Sequence, residues 1–107
     1  LFVVRSAGNI VNPPHYGILG SIEYGVAALG ANLVMVLGHS RCGAVTAAVQ
    51  AVETGMEFPG SIACIIDTIT PAVKNAQKMT GDLLLNSVRE NVRLSVEKIE
   101  TASPVLT

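Results

Sequence analysis

Apolar residues recur along this chain in two rhythms. Leu1, Phe2, Val3 and Val4 make one unbroken apolar run, and Leu33, Val34, Met35, Val36 and Leu37 make another that Gly38 closes. Short runs rich in Val and Leu predict strands buried on both faces of a parallel sheet. Elsewhere the spacing changes to three and four. Ile18, Ile22, Val26 and Leu29 predict a helix with Gly30 at its C-terminal cap, and Pro13 and Pro14 ahead of it can open that helix. Val45, Ala48, Val49 and Val52 predict a second helix over 44–54, ended by Gly55. Ser61, after Pro59 and Gly60, is the expected N-cap of a third segment carrying Ile62, Ile65, Ile66 and Ile69 on one face. Pro71 is expected to break or restart it, with Thr70 as a new cap. From Asp82 a long helix follows, with Leu85, Val88, Val92, Val96 and Ile99 on one stripe, and it ends before Pro104. The order strand, helix, strand, helix predicts an α/β architecture, a parallel β-sheet core with flanking helices.

Composition narrows the class. The 107 residues suffice for a single small domain, half of them are apolar and only 14% are charged. So oily a chain is expected to cover part of its surface with a partner. The net charge of -1 offers no basic stripe for nucleic acid, and the apolar runs are too short and too interrupted by Gly to span a membrane. Cys42 and Cys64 do not make a disulfide framework. The chain shows no targeting signal, which favours a cytoplasmic location. Seven of its fifteen charged residues fall between 82 and 100, so the outer face of the long helix is expected to be wet.

The chemistry concentrates where the second apolar run stops, at Gly38-His39-Ser40-Arg41-Cys42-Gly43. His-x-x-Cys offers an imidazole nitrogen and a thiolate sulfur to one tetrahedral zinc, at about 2.0–2.1 Å and about 2.3 Å. The carboxyl end of a buried strand is where open α/β sheets place their ligands. Cys42 is expected at a helix N-terminus, whose partial positive charge favours the thiolate that binds zinc. By itself the pair does not make a site, because zinc needs a third protein ligand. A thiol enzyme using Cys42 activated by His39 is the other reading of the same residues.

Four segments resemble the β-class carbonic anhydrases: Phe2-Val3-Val4-Arg5-Ser6-Ala7-Gly8-Asn9, Gly20-Ser21-Ile22-Glu23-Tyr24-Gly25-Val26, Val36-Leu37-Gly38-His39-Ser40-Arg41-Cys42-Gly43-Ala44 and Asn86-Ser87-Val88-Arg89-Glu90-Asn91-Val92. They follow the family's order and spacing over nearly the whole chain. The resemblance implies a zinc cofactor, with His39 and Cys42 as two of its three protein ligands, and reversible hydration of carbon dioxide to bicarbonate through a zinc-bound hydroxide. It implies a substrate pocket with Gly43, Tyr24 and Val26 as candidates, and assembly as a homodimer or higher homo-oligomer. The family's Cys-x-Asp-x-Arg segment, which carries the third ligand and a catalytic Asp-Arg pair, has no counterpart in these residues, nor has its late Gly-Ala-x-Tyr-like strand. No catalytic dyad is identifiable here, and the 107 residues are expected to be a domain incomplete at both ends. In the family's sheet the missing first strand lies between the two strands expected here.

The remaining polar residues have plainer readings beside the functional ones. Cys64 could replace the missing ligand or be an ordinary buried thiol. His15 could be a ligand or proton shuttle, or a solvated loop residue. Arg5 could orient a loop or pair an ion, Asn9 could make local turn hydrogen bonds, and Glu23 could belong to the pocket or to the helix surface. Arg93 and Glu97 are spaced as an i,i+4 pair. The rival to catalysis is a noncatalytic carbonic anhydrase relative, a binding or assembly module that has lost the full metal site.

Overall fold

Helices form where the three-and-four spacing places them, and the computed structural model describes residues 1–11 and 16–103. The helix opening at Pro13 and Pro14, His15 and the stop at Pro104 lie outside the described residues. A single 3-10 turn at Ala7–Asn9 is followed by α1 (Tyr16–Ala27), α2 (Gly43–Thr54), α3 (Gly60–Ala76) and α4 (Leu83–Ala102). Gly30 takes a left-handed backbone, which lets the Ala31 N–H reach back to the Gly25 carbonyl at 3.1 Å. Gly55 does the same for α2, its N–H bonding the Ala51 carbonyl. The Asp82 carboxylate accepts from the Leu85 N–H at 3.2 Å and opens α4 as an N-cap.

The expected α/β core, a parallel β-sheet with flanking helices, is overturned: among the described residues there is no strand and no sheet. A strand exists only through a ladder of hydrogen bonds to a neighbour. Neither apolar run finds such a neighbour, and Leu1, Phe2, Val3, Leu33, Val34, Met35 and Leu37 are all exposed. Two boundaries also differ. Pro59 rather than Ser61 is the N-cap of α3, and Pro71 lies inside α3 instead of ending it. A mid-helix proline costs about 3 kcal/mol. Beyond it Ala72, Val73 and Ala76 are essentially sealed from solvent, and burying one valine alone contributes about 1.5–3 kcal/mol. Packing therefore carries the helix through.

The core lies where α2, α3 and α4 meet. Val45 and Ala48 of α2, Ile66, Ile69 and Val73 of α3 and Val88 of α4 pack together with Ile10 and Cys42. Helix α1 stands more to the side. Phe2 lies against its Gly25, where a Cβ would stand 2.9 Å from the ring, and the Ser103 hydroxyl at the end of α4 donates to Glu23 Oε2.

Helix α4 is rotated relative to its apolar stripe. Its buried positions are Ser87, Val88, Glu90, Asn91, Ser95 and Ile99, whereas Val96 is exposed. Glu90 is covered because Arg93 clamps it through three N–H···O contacts of 2.9–3.2 Å, with Asn75 of α3 at 3.4 Å. Arg93 also reaches Glu97 at 3.2 Å, the expected i,i+4 pair. The Arg93 hydrogen bonds hold the Glu90 carboxyl below the usual carboxylate range, against the opposing effect of its burial. The folded protein thus binds this proton less readily than the unfolded chain. The stabilisation is complete above the ordinary carboxylate value of 4.5 and is lost as pH falls through the lower folded value. Glu90→Gln is expected to lower the melting temperature by a few degrees at pH 7. Melting curves taken down the pH scale should show that gap closing below 4.5; a gap that stays constant into acid would contradict the role given to the carboxylate.

Candidate metal centre

The segment leading into α2 is shaped by glycine and by α4. A Cβ on Gly38 would stand 2.7 Å from Val92 Cγ2 and 3.3 Å from Val88 Cγ1, so only glycine lets the backbone pass this close to α4. The chain then turns through Ser40 and Arg41, and the Cys42 N–H bonds the His39 carbonyl at 3.3 Å. Cys42 is the N-cap of α2. Its carbonyl accepts from the Thr46 N–H at 3.0 Å and from the Thr46 hydroxyl at 2.8 Å, while its sulfur makes no capping hydrogen bond. Local structure is thus satisfied by the backbone, which leaves the thiol for other chemistry.

His39 and Cys42 sit on one turn in different surroundings. Cys42 is 5% exposed and belongs to the core cluster, whereas His39 is exposed. An imidazole on the open side and a sulfur on the closed side fit two positions of a zinc site with an accessible face. The set is partial. Among the described residues no group of three His, Cys, Asp or Glu side chains is placed to hold a metal ion. Cys64 lies exposed on α3 and is not joined to the pair.

The three pocket candidates come from two helices. Gly43 follows Cys42 as the first residue of α2, with open space where a side chain would stand. Tyr24, 56% exposed, and the half-buried Val26 belong to α1, which packs little on the other helices. Glu23 is engaged by Ser103 rather than by the turn. A cleft of about 510 Å³ opens at the other end of α2, lined by Val52, Met56, Phe58, Ile66, Asp67 and Lys74; neither His39 nor Cys42 reaches it.

Behind the turn lies the loop at residues 6–10, whose role the sequence pattern did not reveal. Gly8 and Asn9 both have positive φ, 68° and 42°. The Gly8 carbonyl accepts from Asn91 Nδ2 at 2.6 Å. The Asn9 carbonyl accepts from the Ser95 hydroxyl at 3.0 Å, and Asn9 Nδ2 donates back to that oxygen at 3.2 Å. Asn9 makes the local turn bond expected of it, its N–H to the Ser6 carbonyl at 3.1 Å, and in addition reaches across to α4. The spacing of Ser87, Asn91 and Ser95 at i, i+4 and i+8 was a visible signal for a polar helix face, hidden beneath the apolar stripe.

A family model described as carbonic anhydrase matches residues 1–107. The chain is similar to a carbonic anhydrase of Mycolicibacterium smegmatis, 40% identical over 78 residues, which are 73% of this chain and 36% of that protein. It is similar to carbonic anhydrase 2 of Mycobacterium tuberculosis, 41% identical over 73 residues, or 68% of this chain and 34% of the relative. A carbonic anhydrase of Synechococcus elongatus is 32% identical over 112 aligned positions, covering 94% of this chain and 40% of its own length. The chain thus spans well under half the length of these relatives.

Proposed function

Because the chain belongs to the β-class carbonic anhydrase family, we propose that it is part of a zinc enzyme interconverting carbon dioxide and bicarbonate, with His39 and Cys42 as two of the protein ligands. The observation that carries this reading is the turn itself, an imidazole and an uncapped thiol held three residues apart at the start of α2, within a chain matched throughout by the family. Zinc, when bound, supplies a water acidified to about 7 and so a nucleophile near neutral pH. The chain's own residues supply shape. Cys42 anchors the site in the core, Gly38 holds the turn against α4, and exposed His39 completes the pair from the solvent side. A third donor comes from outside the described residues.

Gly43, with free space beside it, is the proposed entry for a small apolar substrate, and Tyr24 and Val26 supply apolar side chains from α1. We further propose self-association, as a homodimer or higher homo-oligomer, supported by the exposed apolar side chains of Leu33, Met35 and Leu37. No helix among the described residues is long and apolar enough to cross a membrane. Native mass spectrometry of the purified protein, with stopped-flow carbon dioxide hydration on the same sample, tests the reading. One zinc per subunit and hydration lost on chelation are expected. Protein that neither carries zinc nor hydrates carbon dioxide would overturn it in favour of a noncatalytic binding or assembly module.

A further inference from the structure

Two polar side chains of α4 are buried against a loop that touches both flanks of the His39–Cys42 turn. Asn91, 3% exposed, donates to the Gly8 carbonyl, and Ser95, 6% exposed, exchanges two hydrogen bonds with Asn9. Positive φ at both loop residues leaves the carbonyls facing the helix rather than a partner in regular structure. The loop is packed tightly on its other sides. A Cβ on Gly8 would stand 2.6 Å from Ile69 Cδ1 and 3.4 Å from Ala44 Cβ, and one on Gly38 would stand 3.7 Å from Asn9 Oδ1. Gly38 precedes His39 and Ala44 lies just beyond Cys42, so the loop abuts the turn on either side of the pair.

We propose that Asn91 and Ser95 are positioning residues: by fixing the Gly8 and Asn9 carbonyls they hold the loop that seats Gly38 and Ala44, and so set the separation of the His39 imidazole from the Cys42 sulfur. This rests on the reading of His39 and Cys42 as zinc ligands. The energetic logic follows from burial. A carbonyl that loses a buried donor either stays unsatisfied or moves toward water. Moving the Gly8 carbonyl moves the surface on which Ala44 rests. Groups behind metal ligands act in this way, and their loss costs about 10–100-fold in metal affinity.

The same helix face contains its own control. Ser87 lies one turn before Asn91, is fully buried, and its hydroxyl has no hydrogen-bond partner among the described residues. Ser87→Ala removes the same atom from the same kind of site as Ser95→Ala without touching the loop. Zinc affinity by chelator competition, and the thiolate-to-metal absorption of the cobalt-loaded protein, are to be measured on both variants and on Asn91→Ala. Ser95→Ala and Asn91→Ala are expected to weaken zinc about tenfold or more and to shift the cobalt spectrum. Ser87→Ala should leave both unchanged, and Ser95→Thr, which keeps the hydroxyl, should restore the affinity lost in Ser95→Ala. If Asn91→Ala does not fold, the two serine variants decide. Equal zinc affinity in Ser95→Ala, Ser87→Ala and the unaltered protein overturns the proposal while leaving the zinc reading intact. Failure of the unaltered protein to bind zinc or cobalt overturns both.

Discussion

On the proposed zinc reading, replacing His39 with alanine is expected to strip the protein of zinc and lower carbon dioxide hydration by at least about a hundredfold, the upper end of what even groups behind a metal ligand cost when removed. The side chain is exposed. Exposed substitutions away from caps and buried networks change stability by only about 0.5 kcal/mol in either direction, so the fold should stand while the metal leaves. Zinc per subunit by elemental analysis, hydration by stopped flow and the melting curve together separate the effects. Full zinc occupancy in the variant would remove His39 from the ligand set and with it the proposed site. Cys42→Ser is the less clean partner experiment, because it also places a hydroxyl in the apolar cluster around Val45 and Ile69.

The second large effect concerns the core behind that site. Ile69 is completely buried in α3 and its Cδ1 occupies the space that a side chain at position 8 would need. Ile69→Ala is expected to cost about 2–5 kcal/mol, since the transfer term is joined by a cavity that packed helices close only in part. At about 4–8 °C per kcal/mol for a domain of this size class, the melting temperature should drop by about eight degrees or more. A drop of only one or two degrees in a thermal melt would mean that the three-helix packing is not the stabilising core. The fully buried position lies within reach of Gly8, so the same substitution should loosen the loop beside the His39–Cys42 turn.

Much of the local backbone around the candidate site was legible in the sequence, because it is set within one or two turns of chain. The N-terminal boundary of α2 beside Cys42, its left-handed end at Gly55 and the start of α4 at Asp82 follow from residues within one turn of each other, and the structure has all three. The pairing of His39 with Cys42 on one turn is equally local. The pocket was less legible. Tyr24 and Val26 are separated from Gly43 by more than a dozen residues of chain, and nothing in their own spacing states where α1 will lie.

What the sequence alone determined about this protein is its helices, the left-handed ends at Gly30 and Gly55, the His39–Cys42 turn and the family to which those segments belong. Tertiary structure decided the rest. Apolar runs at Leu1–Val4 and Leu33–Leu37 became no sheet among the described residues, because a strand is defined by hydrogen bonds to a partner and not by its own composition. Pro71 stayed inside α3 because Val73 and Ala76 are buried beyond it. The polar Ser87, Asn91 and Ser95 were drawn into the interior of α4, two of them by the carbonyls of Gly8 and Asn9. Burial is a property of what packs opposite a residue, and for Asn91 and Gly8 that partner lies 83 positions away in the chain.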